Sequence, residues 1–346
     1  MNVVAGRRAR VIRPSTPGDG AAIAQLVGGW PGNLAPAQLA WKYWQAPLGP
    51  RSFVSCDGET LIAHAGLVPG ACLTTSGRLS FAHLIDWAAD RSAIGAGLAL
   101  LKQVGRSFDA LFAVGGSSDA LRLLPVAGFK RCGTVTGFVR PLRPLGILSD
   151  HRRTHWRTLP RLVRSTLWTV GAPAPSVRGW SVRRVDRDGV GDLTSVLPHP
   201  RADLAVMERT AASIAHALEC PSARMELYVA ERGDEKRGYF LLAFVPGQAR
   251  IADCWVVGPN SGDWAALVQL AVQTARRDPG AAEVTAWSSE PVMTQALVSC
   301  GFHPRDAMPL SLRPSHHGDG RIPALRIQPL DNDAAYLHRG RVELLA

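Results

Sequence analysis

A faint internal repeat constrains this chain more than any other feature. "RVIRPSTPGDGAAIAQLV" (10–27) reads as a short β run, a turn and an amphipathic helix. "WSVRRVDRDGVGDLTSVL" (180–197) repeats that plan, with Arg184 in the place of Arg13. Paired strands follow in each half, around Asp57-Gly58 in "SFVSCDGETLIAHAGLVPG" and around Gly233-Asp234 in "LYVAERGDEKRGYFLLAFVPG". Short glycine turns between alternating apolar runs are hairpin signals. Each half closes with a strand, a helix and a Gly-Phe pair, at Phe129 and Phe302, and the distance from Arg13 to Phe129 nearly equals that from Arg184 to Phe302. Several elements in one order at one spacing specify the same unit twice. The chain is long enough for both copies to bury a core. The boundaries expected from the repeat are an N-terminal domain over 1–145, a basic linker over 146–178, a C-terminal domain over 179–316 and a tail over 317–346.

Charge narrows the partners. The formal net charge is +11, which favours an anionic ligand or surface. Much of the excess lies in the linker, where Arg152, Arg153, Arg157, Arg161, Arg164 and Arg178 face Asp150 alone. Neither interleaved stacking aromatics nor a known motif accompanies the charge, so nucleic acid is not expected as a partner. In "HRRTHWRTLPRLVRSTLWTV", apolar residues at helical spacing leave two readings open: contact with an anionic surface through 151–168, or packing across the two domains with the arginines in water. The six cysteines are far apart with no C-x-x-C, and "MNVVAGRRARVIRP" lacks an apolar core, so reduced thiols in a cytoplasmic protein are expected. The histidine pairs 151/155 and 316/317 lack a third ligand of fitting type, and no metal site is expected.

The most informative stretch is "IDWAADRSAIGAGLALL" (85–101), a strand running through a small-residue turn into a helix. Taken alone, the pair Gly95 and Gly97 fits either a cramped turn or a phosphate cradle. The order of elements around it resembles the GNAT family of acyl-CoA N-acyltransferases, well over 10–143 and more distantly over 179–313. "LAWKYWQAPLGP" (39–50) is similar to a tryptophan-rich stretch of some bacterial members. The resemblance implies an α+β fold of two tandem GNAT-like domains, each a twisted, mixed, mostly antiparallel sheet flanked by helices. It also implies acetyl-CoA or another acyl-CoA as co-substrate and an amine as acceptor, with a sugar or small-molecule precursor of the cell surface among the acceptors. On the family's cofactor signature Gly95 and Gly97 fall on the two small positions with Ala96 between them, while Ser92 stands where Arg or Gln is usual and Arg91 lies one place early. The chemistry there is that of amide N–H groups and a helix dipole aimed at a pyrophosphate. On that footing Ser92 would contribute its N–H whatever its side chain. The second half has no G-x-G, and Asp263 puts a negative charge where its helix begins.

The resemblance also points to catalytic groups. Asp86 is the natural candidate for the base, with a buried loop-holding role as the alternative, and His83 is on the opposite face of the same strand. The tyrosine acid of the family falls on Leu124 in the first half and Leu297 in the second, neither of which has a hydroxyl. Ser117 reads either as a contact to the pantetheine arm or as a helix N-cap, and Lys102 and Arg106 either as contacts to cofactor phosphates or as solvated positions. A non-catalytic scaffold of the same fold, sensing CoA or docking to an anionic surface, is the other functional reading.

Overall fold

A computed structural model describes residues 10–27, 35–149, 158–258, 260–315, 323–338 and 344–346. The chain forms two compact units. Unit 1 comprises residues up to Ala71, Leu79–Arg131 and Ser311–Gly320, and unit 2 comprises Cys72–Arg78, Cys132–Leu310 and Arg321–Ala346.

Unit 1 is built from β1 (Arg10–Pro14), α1 (Gly20–Val27), α2 (Pro36–Tyr43), β2 (Ser52–Asp57), most of β3 (Thr60–Thr74), most of β4 (Gly77–Ala89), α3 (Ala96–Val104), β5 (Ala110–Val114) and α4 (Ser118–Leu123). Strands β1, β2 and β3 run antiparallel, β4 follows β3 in the sheet, and β4 pairs with β5 in parallel. The hairpin expected at Asp57-Gly58 is present, with Gly58 at φ 60°. Helix α3 turns Leu100, Leu101 and Val104 onto the sheet, where they meet Leu67, Ala82 and Leu111.

Unit 2 contains most of β6 (Lys130–Pro141), then α5 (Thr158–Val170), β7 (Trp180–Val185), β8 (Leu204–Met207), α6 (Ala211–Leu218), β9 (Arg224–Arg232), β10 (Glu235–Val245), β11 (Gln248–Val256), α7 (Ser261–Arg277), β12 (Glu283–Ser288), α8 (Pro291–Ser299), most of β13 (His303–Pro314) and β14 (Ala324–Arg326). Its strands run in the order β13-β6-β12-β11-β10-β9-β7, with β11 and β12 parallel. Helix α7 buries Trp264, Leu267, Val268 and Ala271.

The units do not follow the sequence halves. From Cys132 on, β6 closes the first half of the repeat yet lies in the sheet of unit 2, between β12 and β13. Residues 311–315 of the second half belong to unit 1, where Ser315 N–H donates to Asp109 O at 2.7 Å. A repeat in sequence says which strands are alike but not which edge each will pair with, because backbone pairing is open to any strand of matching direction.

The linker is also more structured than its composition suggests. Helix α5 belongs to unit 2, and Arg161 donates to the carbonyls of Leu344 (2.6 Å) and Ala346 (3.2 Å). The Trp168 ring stacks on His303 at 3.7 Å, with the Arg164 guanidinium 4.9 Å from its centroid. These two arginines are therefore not held in water, and Leu159, Val163, Leu167 and Val170 are the side chains exposed instead. Carbonyls and an indole face offer a guanidinium more than solvent does. Residues 150–157, with Arg152, Arg153 and Arg157, lie outside the described residues, and Arg178 is exposed. All six cysteines are free. Among the described residues no helix is long and apolar enough to cross a membrane.

Candidate active site

The site begins where two parallel strands separate. Strands β4 and β5 pair at Phe81↔Ala110, Ala82↔Leu111 and His83↔Phe112, and then part. At the first lost rung the side chain of His83 replaces a backbone acceptor, since Val114 N–H donates to its Nε2 at 3.2 Å. The His83 ring stacks on Phe112 with centroids 4.6 Å apart. Its role is thus structural: it wedges the strands open. Beyond it the two edges become progressively more accessible, from half-buried Trp87 and Val114 to exposed Ala89 and Gly116.

Three residues past the last rung is Asp86, at φ 45°, the one non-glycine residue with positive φ among those described. Such a conformation costs on the order of 1–3 kcal/mol and persists only where its surroundings enforce it. Here they do. The Lys42 ammonium is 2.5 Å from Asp86 Oδ2, and both side chains are only 1% exposed. The Tyr43 hydroxyl donates to the same oxygen at 2.6 Å. His64 Nδ1 lies 2.9 Å from Asp86 O, and because a carbonyl can only accept, Nδ1 carries the proton. His64 Nε2 therefore accepts from Ser52 Oγ (2.9 Å), which accepts from Ser15 Oγ (2.6 Å), which accepts from Trp44 Nε1 (2.9 Å). Every donor in this relay is used when His64 is neutral. Burial, the largest influence, pushes its pKa down to about 4 against the partial offset of Asp86. Sequence reasoning placed Asp86 at the site but missed Lys42, Tyr43, His64 and Ser52. A lysine between aromatics in "WKYW", on a helix that buries Trp41, Lys42 and Tyr43, was the signal available.

The turn from β4 to α3 explains its glycines locally. Gly95 is the N-cap of α3 at φ 77°, and a Cβ there would meet nothing within 4 Å. Gly97 is needed for a different reason: its Cβ would lie 3.1 Å from Trp87 Nε1, which donates to Gly97 O at 3.2 Å. The N–H of Ser92 donates to Asp90 Oδ1 at 2.7 Å, so it is engaged within the loop rather than held out for a ligand. Ala96 N–H donates to Ala93 O and Ala99 N–H to Gly95 O, whereas helix geometry offers no intrahelical acceptor to the amides of Gly97 and Leu98 between them. Arg91 and Ile94 are exposed. Ser117 caps α4, its hydroxyl accepting from Ala120 N–H at 3.2 Å, and Leu124 is buried in the core.

Unit 2 carries a counterpart of the same geometry. Strands β11 and β12 pair at Gln248↔Glu283, Ala249↔Val284 and Arg250↔Thr285 before parting, and Asp253 again follows the last rung by three residues. A register shift beside it bulges the strand. Asp253 accepts from Arg209 at 2.8 and 3.1 Å and from the Tyr239 hydroxyl at 2.6 Å.

The mixed sheet with its helices, built twice, is a fold that the chain shares with several solved structures. The chain is similar to a GCN5-related N-acetyltransferase from Anabaena variabilis at 11% identity and a TM-score of 0.57, covering 88% of this chain and 72% of that one. A GCN5-related N-acetyltransferase from Kribbella flavida is similar at 14% identity and a TM-score of 0.55, with 91% and 72% covered. The tandem GNAT protein of the clavulanic acid biosynthesis pathway is similar at 14% identity and a TM-score of 0.52, with 90% and 100% covered. This chain has the tandem GNAT fold. At such identities the likeness is one of fold. No protein-family model and no curated protein matches the sequence.

The two GNAT-like units differ in what their clefts can accept. In unit 2 the tail fills the parting. Arg326 donates to Cys254 O at 2.9 Å, pairs with Glu290, and lies over the rings of Trp255 (5.2 Å) and Trp264 (4.6 Å). Ser289 Oγ donates to Leu325 O at 3.0 Å and accepts from Ile327 N–H at 2.9 Å. Asp331 of the same segment pairs with Arg209 at 2.7 Å. The start of α7 is also spoken for: Asn260 caps it, and Asp263 pairs with Arg232 (3.4 Å) and Arg237 (3.1 Å). Unit 1 keeps accessible strand edges and open space at Gly95, whereas the parting and the helix start of unit 2 are occupied.

Proposed function

We propose that unit 1 is an acyl-CoA-dependent N-acyltransferase domain, with acetyl-CoA as the simplest donor, and that unit 2 has given up its co-substrate cleft to the tail. One contrast carries this reading: Trp87, Ala88 and Ala89 of unit 1 are accessible, whereas Asp253, Cys254, Trp255 and Val256 of unit 2 are buried. The accessible edges 87–89 and 114–116 would take the pantetheine arm, with the Ser117 hydroxyl beside it. The turn of Arg91, Ser92, Gly95, Ala96 and Gly97 would face the pyrophosphate, chiefly through the first-turn amides and dipole of α3. A bound acyl-CoA supplies an activated thioester. The chain's own task is to align an acceptor amine with it and to receive the amine's proton.

Asp86 is the carboxylate at the parting and the candidate for that proton. Its ties to Lys42, Tyr43 and His64 also make it the residue that holds the kink of β4. Asp86→Asn separates the two roles. Lost turnover at unchanged acetyl-CoA affinity marks a base, and a joint fall in affinity and turnover marks a positioning residue. One observation favours a binding-only reading: Leu124 is buried in the core where the family places its tyrosine acid. The loss is bounded, since a general acid contributes about 10²–10⁴-fold.

The decisive experiment is a calorimetric titration with acetyl-CoA, followed by turnover on a panel of amines. Ile94 is 88% exposed beside the turn, so Ile94→Glu adds a repelling charge without disturbing the core. Expected are one site per chain and at least tenfold weaker binding in the variant. A native protein silent to acetyl-CoA and to longer acyl-CoAs would overturn the reading, and binding without turnover would select the binding-only alternative.

A further inference from the structure

Helix α5 of unit 2 is mounted the wrong way round for a helix in water. Its two arginines turn towards the protein: Arg161 donates to the carbonyls of Leu344 and Ala346, and the Arg164 guanidinium lies over the Trp168 ring. Ser165, beside them, is buried. The opposite face carries Leu159, Val163, Leu167 and Val170, which are 68%, 51%, 66% and 83% exposed. Steps of four, four and three residues set them in one stripe along the helix. A surface helix of a globular protein shows water the reverse pattern. Among the described helices of eight residues or more, α5 separates its two faces most sharply.

Two observations say what covers this stripe. The first is hydrogen bonding. The exposed face consists of Leu159, Pro160, Val163, Thr166, Leu167 and Val170, of which Thr166 alone is polar. Its hydroxyl donates to Leu162 O at 2.8 Å, as that of Thr169 donates to Ser165 O. Among the described side chains of α5, none therefore offers a donor outward from this face. A protein interface carries about one hydrogen bond per 100–200 Å², whereas hydrocarbon supplies no partner and needs none.

The second is charge. Residues 151–178 hold six arginines and no aspartate or glutamate. Arg152, Arg153 and Arg157 directly precede α5 in the chain, and Arg178 is exposed after it. Elsewhere in unit 2 exposed arginines face carboxylates, as Arg187 faces Glu219 and Arg183 faces Glu231. An excess of one sign beside an apolar stripe is complementary to an anionic lipid surface, which attracts cations and takes apolar side chains below its headgroups. A second copy of the chain would bring the same arginines and no acid to meet them, so charge opposes that pairing.

We propose that the outward face of α5 is a docking surface for anionic phospholipid. Leu159, Val163, Leu167 and Val170 enter the boundary between headgroups and acyl chains, and the arginines around them in sequence supply the attraction. The stripe is about 16 Å long. The helix lies in the plane of the surface, since α5 is too short to cross a bilayer. Because Arg161 and Arg164 hold its inner face, α5 presents the stripe without unfolding or turning over. The surface lies within unit 2 and requires no co-substrate in unit 1.

The test is flotation of the full chain with vesicles of equal parts phosphatidylcholine and phosphatidylglycerol, and with vesicles of phosphatidylcholine alone. A Leu159→Gln/Leu167→Gln double variant removes apolar contact at two exposed positions and leaves every charge in place. The native chain is expected to bind the anionic vesicles, less so in added salt, and the neutral ones at least tenfold more weakly. The variant, its fold intact by circular dichroism, is expected to bind the anionic vesicles at least tenfold more weakly than the native chain. A native chain that binds neither vesicle, or both equally, would overturn the proposal. So would a variant that binds as well as the native chain, which would leave a contact of charge alone. Light scattering covers the other occupant: a native dimer that the variant dissociates, with no vesicle binding, would give the stripe to a second copy and overturn the lipid surface.

Discussion

The two clefts of this molecule share a plan and have opposite contents. Each opens after three parallel rungs, and each sets an Asp three residues further on, fixed by a tyrosine hydroxyl at 2.6 Å and by a cation. In unit 1 the cation is Lys42, and the strand edges beyond Asp86 are accessible. In unit 2 the cation is Arg209, and Arg326 occupies the parting with its charge met by Glu290 and by two indole rings. The difference teaches that the Asp belongs to the architecture of the cleft, since it is kept where the tail fills the parting. Accessible strand edges and a helix start without an acidic partner are what distinguish unit 1.

The largest effects should come from stranding a buried carboxylate. Lys42→Met leaves Asp86 with the Tyr43 hydroxyl but no cation, and is expected to cost about 3–5 kcal/mol in urea unfolding, while Arg326→Met leaves Glu290 with only Arg201, 3.8 Å away, and is expected to cost less. Arg326→Met should still bind one acyl-CoA per chain, because Asp263 continues to occupy the start of α7. A second calorimetric site in that variant would show that the tail alone closes unit 2.

Acid separates the two kinks next. The unfolded chain protonates His64 below about 6.5, whereas the folded chain does so only near 4. Stability is therefore complete above pH 6.5 and falls as pH drops towards 4, by on the order of 3 kcal/mol. Denaturant midpoints measured across that window should flatten in His64→Gln relative to the native chain. The kink at Asp253 is held by Arg209 and Tyr239 instead.

Smaller effects resolve the two glycines of the turn. Gly97→Ala presses a methyl against Trp87 and is expected to destabilise by about 1–3 kcal/mol. Gly95→Ala meets open space and costs only the left-handed backbone, about 1 kcal/mol. Equal losses would contradict the close strand–helix approach that separates their roles.

The sequence by itself determined the repeat, its hairpins, the parallel strand entering a glycine turn and the position of Asp86, because those depend on local periodicity, turn chemistry and spacing. It also showed that the second half lacks the G-x-G and that both tyrosine positions are leucine. Only the tertiary structure decided the rest. Which sheet β6 joined, what held the Asp86 kink and what filled the second cleft all depend on partners far apart in the chain: Lys42 with Asp86, His64 with Ser52, Arg326 with Cys254 and Glu290. Side-chain hydrogen bonds and ion pairs between distant segments leave no period in a sequence, since each partner alone reads as an ordinary lysine, histidine or arginine. Arg313 is the clearest case. It lies in a strand of the second half and donates to Leu101 O on a helix of the first only because the backbone carries it there and two glycines leave it room.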